Sequence, residues 1–332
     1  MPKTFRLPKE EPLLNIASYA RGGPRTANRL TPEQVEQIRR TVLRAPEAVV
    51  KVLPRSSNDL KAVGKHLNYI GRQGHLALES DDGQQLRGRI GKELLEDWDL
   101  DIDDVRRQGS LSAANGRNPP KLVHKLMFSM PPGTPPQKVL SAVRNLAREE
   151  FYGQHRYALV LHTDEPHPHV HLVLKAVSEQ GERLNIKKAT LRHWRSQFAS
   201  QLRRLGVVAN ASERAVRGVN RGATKDSIYR PSLRGESTYL RAQAEAVALE
   251  LSNGGIRPDE GKKRIASTRA DIVRGWGVVA QQLHLQGDQE LAARIADFVR
   301  GMPPPRTDKE LIARSVLESV KTRSRAKHEP SR

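Results

Sequence analysis

The segment His162-Thr-Asp164-Glu165-Pro-His167-Pro-His169-Val-His171 runs straight into Leu-Val-Leu-Lys175, so one short region must reconcile four imidazoles with an apolar strand. Residues 156–161 form a preceding apolar run, and two prolines lie between the runs, which predicts two strands joined by a turn. Side chains alternate along a strand, so His169 and His171 share one face while Val170, Leu172 and Leu174 point to the core. An antiparallel hairpin brings His162 opposite His169. Three neutral imidazoles on one sheet face can hold a first-row divalent ion at roughly 2.0–2.3 Å and leave positions open for a phosphate oxygen. His167, in its Pro-His-Pro bend, falls outside this set and is expected behind the ligands or on a phosphate. Asp164 and Glu165 are close enough to orient an imidazole or take a proton. A lone His124 on an earlier strand reads as a core or edge histidine.

The surroundings of this segment are strongly basic: 57 Lys and Arg stand against 37 Asp and Glu, a formal net charge of +20. Such an excess, concentrated on residues 1–224, points to a polyanionic partner, with nucleic acid the leading candidate. There is no cysteine, which excludes a disulfide framework, a thiolate nucleophile and zinc-finger ligands and leaves His, Asp and Glu to hold any metal. No stretch approaches the roughly 20 apolar residues of a membrane span, and the first thirty residues lack a signal-peptide core; a soluble, cytoplasmic protein is expected. A chain of 332 residues accommodates about two domains.

Residues 1–30 are Arg-rich and aperiodic and read as an extended arm. Thr31-Pro32-Glu33-Gln34 opens a helix over about 32–44 with a capping box and a proline at the first helical position. Asn58 or Asp59 caps a second helix whose apolar stripe is Leu60, Val63, Leu67 and Ile70. Tyr69 lies well off that stripe, among the cations Lys65 and Arg72. The polar, acid-rich segment 71–109, with one short helical pattern near 90–98, reads as an insert or lid. A strand near 122–128, a helix at 136–151, strands at 156–161, 169–176 and 183–186, and an amphipathic helix bearing Arg192, Arg195, Arg203 and Arg204 then give an α+β layer with largely antiparallel pairing. Beyond 225 the pattern is helical, in 238–251, 264–284, 289–300 and 308–320, and the basic tail after Lys321 reads as disordered.

A three-histidine site in a basic protein can activate water for hydrolysis, or it can hold a scissile phosphate for a protein nucleophile. The second use needs an exposed hydroxyl, and Tyr69 is the tyrosine on a cationic helix face, where Lys65 and Arg72 could bind flanking phosphates. An amphipathic surface tyrosine is the equally weighted alternative.

Here a resemblance bears on the balance. Lys65-His-Leu-Asn-Tyr69-Ile-Gly-Arg72-Gln-Gly74 resembles the tyrosine motif of conjugative and mobilisation relaxases, the HUH endonucleases, in the branch that includes the T-DNA border endonuclease. His162-x-Asp164-x-x-x-Pro168-His169-Val-His171 resembles that family's histidine motif, and Ser212-Glu-Arg214-x-x-Arg217-Gly218 its following basic segment. The match spans about residues 50–222. It implies an α+β, two-layer HUH relaxase-type fold, a mainly antiparallel central sheet flanked by helices, with a helical C-terminal extension. It divides the chain into a basic arm and helix at 1–50, a relaxase domain at 51–224, and a helical region with a basic tail at 225–332.

The resemblance further implies an enzyme that nicks DNA at an origin of transfer to start plasmid mobilisation. Tyr69 is its nucleophile, giving a 5′-phosphotyrosyl link, and His162, His169 and His171 hold Mg2+ or Mn2+. Asp164 matches the acidic position of the histidine motif, and whether it is the base stays open. Glu165 and His167 stand behind the ligands, and Lys65, Arg72, Arg195, Arg214 and Arg217 are the expected DNA contacts. The implied partners are single-stranded or supercoiled DNA at the origin, accessory mobilisation proteins and a coupling ATPase. Rolling-circle initiators and transposases of the superfamily are the nearest rivals, but they place the tyrosine after the histidines. A non-enzymatic basic DNA-binding regulator is the rival of another class.

Overall fold

The computed structural model describes residues 4–5, 16–19, 29–53, 59–111, 120–220, 226–255 and 260–326. In chain order these form β1 (Thr4–Phe5), α1 (Ile16–Tyr19), α2 (Pro32–Val42), β2 (Val49–Val52), α3 (Leu60–Ile70), β3 (Leu78–Ser80), β4 (Gln85–Leu86), α4 (Gly91–Asp97) and α5 (Leu100–Leu111). They continue with β5 (Val123–Ser129), α6 (Pro136–Phe151), β6 (Tyr157–His162), β7 (His169–Lys175), β8 (Arg183–Leu184), α7 (Lys188–Arg204), α8 (Asp226–Leu233), α9 (Thr238–Ser252), α10 (Glu260–Leu285), α11 (Gln289–Arg300) and α12 (Asp308–Ala326). Two compact units result, one of residues 1–13 and 43–211, the other of 14–42 and 212–332.

The first unit is built on a six-stranded sheet of order β2-β5-β7-β6-β3-β4, antiparallel at every pairing. A separate two-residue parallel pair joins β1 to β8. The period-two pattern of β5, β6 and β7 is apolar on both sides, so both faces must be covered. On one face Leu126, Phe128, Leu159, Val170, Leu172 and Leu174 pack beneath α6 and α7 through Val139, Val143, Leu146, Trp194, Phe198 and Leu202. The Phe128 and Phe198 rings meet edge to face at 5.4 Å between centroids. On the other face Val123, Ala158, Val160 and Val173 pack beneath α3, α4 and the start of α5 through Val63, Leu67, Ile70, Leu94, Trp98 and Leu100. The α+β class, the antiparallel sheet, the flanking helices and the helical C-terminal region are as expected; α3–α5 add a further helical layer to the two expected.

Segment 71–109 is therefore no lid. It contributes the strand β3 and the helices α4 and α5 that cover the second sheet face, and Leu78, Ile90, Leu94 and Trp98 are buried in that core. Its acidic character misleads because Glu79 of β3 is itself buried, its carboxylate gripped by both arms of Arg144, one at 2.7 Å.

Helix α3, which carries Tyr69, is fixed at both ends and along its side. Asp59 caps it by accepting from the Ala62 amide at 3.0 Å, and Gly71 closes it with its amide on the Leu67 carbonyl. It crosses α4 where two glycines meet: a Cβ on Gly91 would lie 2.5 Å from the Gly64 carbonyl oxygen. The Asn68 side chain accepts from the Gly91 amide at 3.0 Å and locks the crossing.

The second unit is helical. Its core joins Ile16, Tyr19 and Ile38 to Ile272, Trp276, Val279, Leu283, Leu291, Ile295 and Phe298. The Trp276 indole donates to the Val216 carbonyl at 2.9 Å, and Arg39 pairs with Asp288, the residue capping α11, at 3.1 Å. Two expectations need correction. Ile16–Tyr19, placed in an extended arm, is helical with Ile16 and Tyr19 buried; the rest of the arm up to residue 28, apart from residues 4–5, lies outside the described residues. The tail is helical to Ala326 rather than disordered from Lys321, since Lys, Arg and Ala favour helix and no proline intervenes; residues 327–332 lie outside the described residues.

Candidate active site

The β6–β7 hairpin pairs His162 with His169 directly and Val160 with His171. Pairing and pleat together place the three imidazoles on one face, the face that α3 covers. Their ring centroids are 5.1 Å apart for His162–His169, 4.7 Å for His162–His171 and 5.3 Å for His169–His171. One nitrogen from each can be chosen so that all lie within 4.8 Å of one another. His162 and His171 are buried, and His169 is half-buried.

Backbone carbonyls fix two of the rings. His162 donates from Nε2 to the Ile70 carbonyl at 2.7 Å, the last residue of α3, and His169 donates from Nδ1 to the His167 carbonyl at 3.0 Å. In a neutral ring each of these bonds places the lone pair on the other nitrogen, Nδ1 of His162 and Nε2 of His169. Nδ1 of His171 is buried without a hydrogen-bond partner among the described residues. Burial, then the neighbouring imidazoles, pushes the His171 pKa down to about 3. His162 is lowered mainly by burial, with the Ile70 carbonyl acting against the shift. Three imidazoles that each offer one nitrogen to a common point are a donor set that suits a divalent cation, so the residues fit a metal.

Arg72 ties this cluster to the end of α3. Its guanidinium pairs with the Asp164 carboxylate, lies 3.4 Å from Nδ1 of His162, and stands with Cζ 5.6 Å from the centroid of the Tyr69 ring. Tyr69 itself is 57 % exposed. The reach of Arg72 depends on an unusual backbone: Arg72 and Gln73 both adopt left-handed conformations, at φ 51° and 56°, immediately after the helix. For Asp164, burial works to raise the carboxyl pKa, but its backbone hydrogen bond and Arg72 outweigh that and hold it below the usual range.

The remaining expected residues are not all gathered here. Lys65 is exposed one turn before Tyr69, and Glu165 and His167 are exposed in the hairpin loop, where the tie of His167 to the cluster is its backbone carbonyl. Arg195 is elsewhere: it lies on α7, against the opposite sheet face, and donates to the Ala211 carbonyl at 2.7 Å. Arg214 is exposed and Arg217 half-buried beside a 3-10 turn in the second unit. His124 is buried on the face opposite the triad, donating to the Leu184 carbonyl at 3.1 Å.

Two nearby residues escape the sequence reading. His66 presents its ring to His171, centroids 6.3 Å apart, and burial followed by Lys125 and His162 pushes its pKa down to about 4. Lys125, on β5, is buried and lowered to about 8 by that burial. His66 was within reach of pattern, since it lies three residues after Val63 and four before Ile70 and so borders the apolar stripe. Nothing local marks Lys125, which follows His124 in an otherwise largely apolar strand.

The comparisons fall on the same elements. Residues 80–206 match the family model of the relaxase nuclease domain, MobA/VirD2-like. That span contains the triad and Asp164 but begins after Tyr69. The chain is 23 % identical over 232 residues to the T-DNA border endonuclease VirD2 of Rhizobium rhizogenes, covering 61 % of this chain and 47 % of the relative. It is 24 % identical over 231 residues to the same endonuclease from Agrobacterium fabrum (strain C58 / ATCC 33970), covering 64 % and 50 %. The chain thus spans about half the length of these relatives. Taken with the antiparallel sheet and the histidine cluster at its hairpin, they support a likeness of residues 80–206, the span the family model matches, to the relaxase nuclease domain of the MobA/VirD2-like branch.

Proposed function

We propose that this protein nicks one DNA strand at an origin of transfer by tyrosine transesterification and so starts mobilisation of a plasmid. The observation that carries the reading is the single guanidinium, Arg72, in contact with the Tyr69 ring, with His162 of the imidazole cluster and with Asp164. The phenolic oxygen of Tyr69 attacks the scissile phosphorus, forming a P–O bond to tyrosine and breaking the bond to the 3′ oxygen. The phenolic proton leaves as the oxygen attacks, and the departing 3′ oxygen takes up a proton, so a 5′-phosphotyrosyl link and a free 3′-OH result. Transesterification keeps the bond energy for later rejoining.

Arg72, with Cζ 5.6 Å from the Tyr69 ring centroid, places a positive charge beside the attacking side chain. Ionised Asp164 anchors Arg72 there and is a candidate to receive the phenolic proton. Lys65 on the same helix side binds a flanking phosphate. His162, His169 and His171 hold Mg2+ or Mn2+, which when bound polarises the phosphate and offsets the negative charge gathered on it in the transition state. Single-stranded or supercoiled DNA in the cytoplasm is the substrate, and accessory mobilisation proteins and a coupling ATPase are the partners. Among the described residues no helix is long and apolar enough to cross a membrane.

The test uses a supercoiled plasmid carrying the DNA that flanks this gene, incubated with protein and Mg2+ or Mn2+. Nicked product with protein covalently on the 5′ end is expected, and Tyr69→Phe is expected to abolish the adduct while leaving single-strand binding within about twofold. An adduct that persists in Tyr69→Phe removes Tyr69 as nucleophile, and a protein that binds without nicking is the regulator of the rival reading.

A further inference from the structure

Two buried nitrogens beside the triad have no hydrogen-bond partner among the described residues: Nε2 of His66 and Nδ1 of His171. The rings that carry them meet edge to face, with an interplanar angle of 76° and centroids 6.3 Å apart. A buried polar atom left unsatisfied costs about 1–3 kcal/mol, so two of them on facing rings call for one shared explanation.

Tautomer chemistry supplies it. An imidazole that binds a metal through one nitrogen carries its proton on the other and donates it to an acceptor, which sets the ring's orientation. His162 and His169 each have such an acceptor, the carbonyls of Ile70 and His167. His171 has neither carbonyl nor carboxylate at its buried nitrogen among the described residues. We infer that His66 is the positioning residue for His171: its unprotonated Nε2 accepts the Nδ1 proton of His171 across one bridging water, turning Nε2 of His171 toward the metal.

The arrangement gives α3 a second hold on the triad. Ile70 at its end orients His162, and His66 one turn before Tyr69 orients His171, so the helix that presents the tyrosine also sets two of the three ligands. This assignment rests on the triad being a metal site, and its tests separate the two ideas.

The experiment measures Mn2+ affinity by calorimetry and electron paramagnetic resonance on the full chain. His169→Ala removes binding if the triad is the metal site; undiminished binding there overturns the metal reading and this inference with it. With that control in place, His66→Phe keeps the ring volume but loses the acceptor, and a 10–100-fold weaker dissociation constant is expected. His66→Gln returns an acceptor oxygen near the same point and should bind within about threefold of the parent. A purely packing role predicts the reverse order, with Phe the better substitute, and that order overturns the assignment, as does parental affinity in His66→Phe. Should His66→Phe fail to fold, nitrogen-15 NMR of the metal-free parent decides: His171 protonated on Nδ1 supports the inference, and His171 protonated on Nε2 overturns it.

Discussion

His124 provides a test of the sheet core that is independent of metal, because it lies on the face opposite the triad. It is 7 % exposed on β5, donates from Nε2 to the Leu184 carbonyl, and has Lys121, Arg183 and His155 as its charged or titratable neighbours. Burial pushes its pKa down to about 4, the Leu184 carbonyl resisting and the two cations assisting. An unfolded histidine titrates near 6.5, so between pH 6.5 and 4 the unfolded chain binds a proton that the folded chain refuses. The folded state's advantage is complete above pH 6.5 and is lost as pH falls toward 4. At pH 5 the gap amounts to about 1.5 units, or about 2 kcal/mol at 1.36 kcal/mol per unit. His124→Gln keeps an amide donor for Leu184 and cannot titrate. Its unfolding free energy should therefore fall by about 2 kcal/mol less than the parent's between pH 7 and pH 5. Urea unfolding at both pH values, followed by the fluorescence of buried Trp98 and Trp194 in a Trp276→Phe background, reads the sheet unit alone. Equal pH slopes in parent and variant would refute the claim that this imidazole is held neutral by the fold.

Other consequences can be checked directly. Arg72→Gly relieves a left-handed backbone that costs a non-glycine residue about 1 kcal/mol and gives up only a partly exposed ion pair, so chemical unfolding should find it at least as stable as the parent while its nicking rate falls at least tenfold. Gly91→Ala places a methyl 2.5 Å from the Gly64 carbonyl oxygen and should cost about 1–3 kcal/mol in a thermal or urea melt; a neutral effect would mean α3 and α4 separate freely. Single-strand affinity should fall with salt by a logarithmic slope of about −0.7 for each phosphate neutralised, and Lys65→Ala should reduce that slope by about one contact in a fluorescence titration.

How far the sequence could be read follows from how far each determinant reaches along the chain. The hairpin register was legible because His162, His169 and His171 and the apolar residues between them obey a period of two within one turn of chain. Helix α3 was legible for the same reason, down to a cap at one of two adjacent residues, Asn58 or Asp59, of which the structure selects Asp59. The strand β3 was not: it is short, its central Glu79 contradicts a buried strand, and the cation that makes that burial tolerable, Arg144, comes from a distant helix. Arg195 was legible as one of the cations of α7 but not in its partner: the guanidinium donates to the Ala211 carbonyl against the sheet face away from the histidines, a fact only the chain's return at 205–211 determines. His66 falls between these cases, on the border of a visible stripe but facing a histidine supplied by β7. The histidine cluster was thus a local property of the sequence, while its orientation is not: Ile70 and His66 of α3 and Arg72 just after it reach the cluster, and that helix is set by the glycine crossing with α4. A substitution at Gly64 or Gly91 should accordingly loosen the triad without touching it, which makes the crossing, rather than the histidines alone, a determinant of the geometry of the cluster.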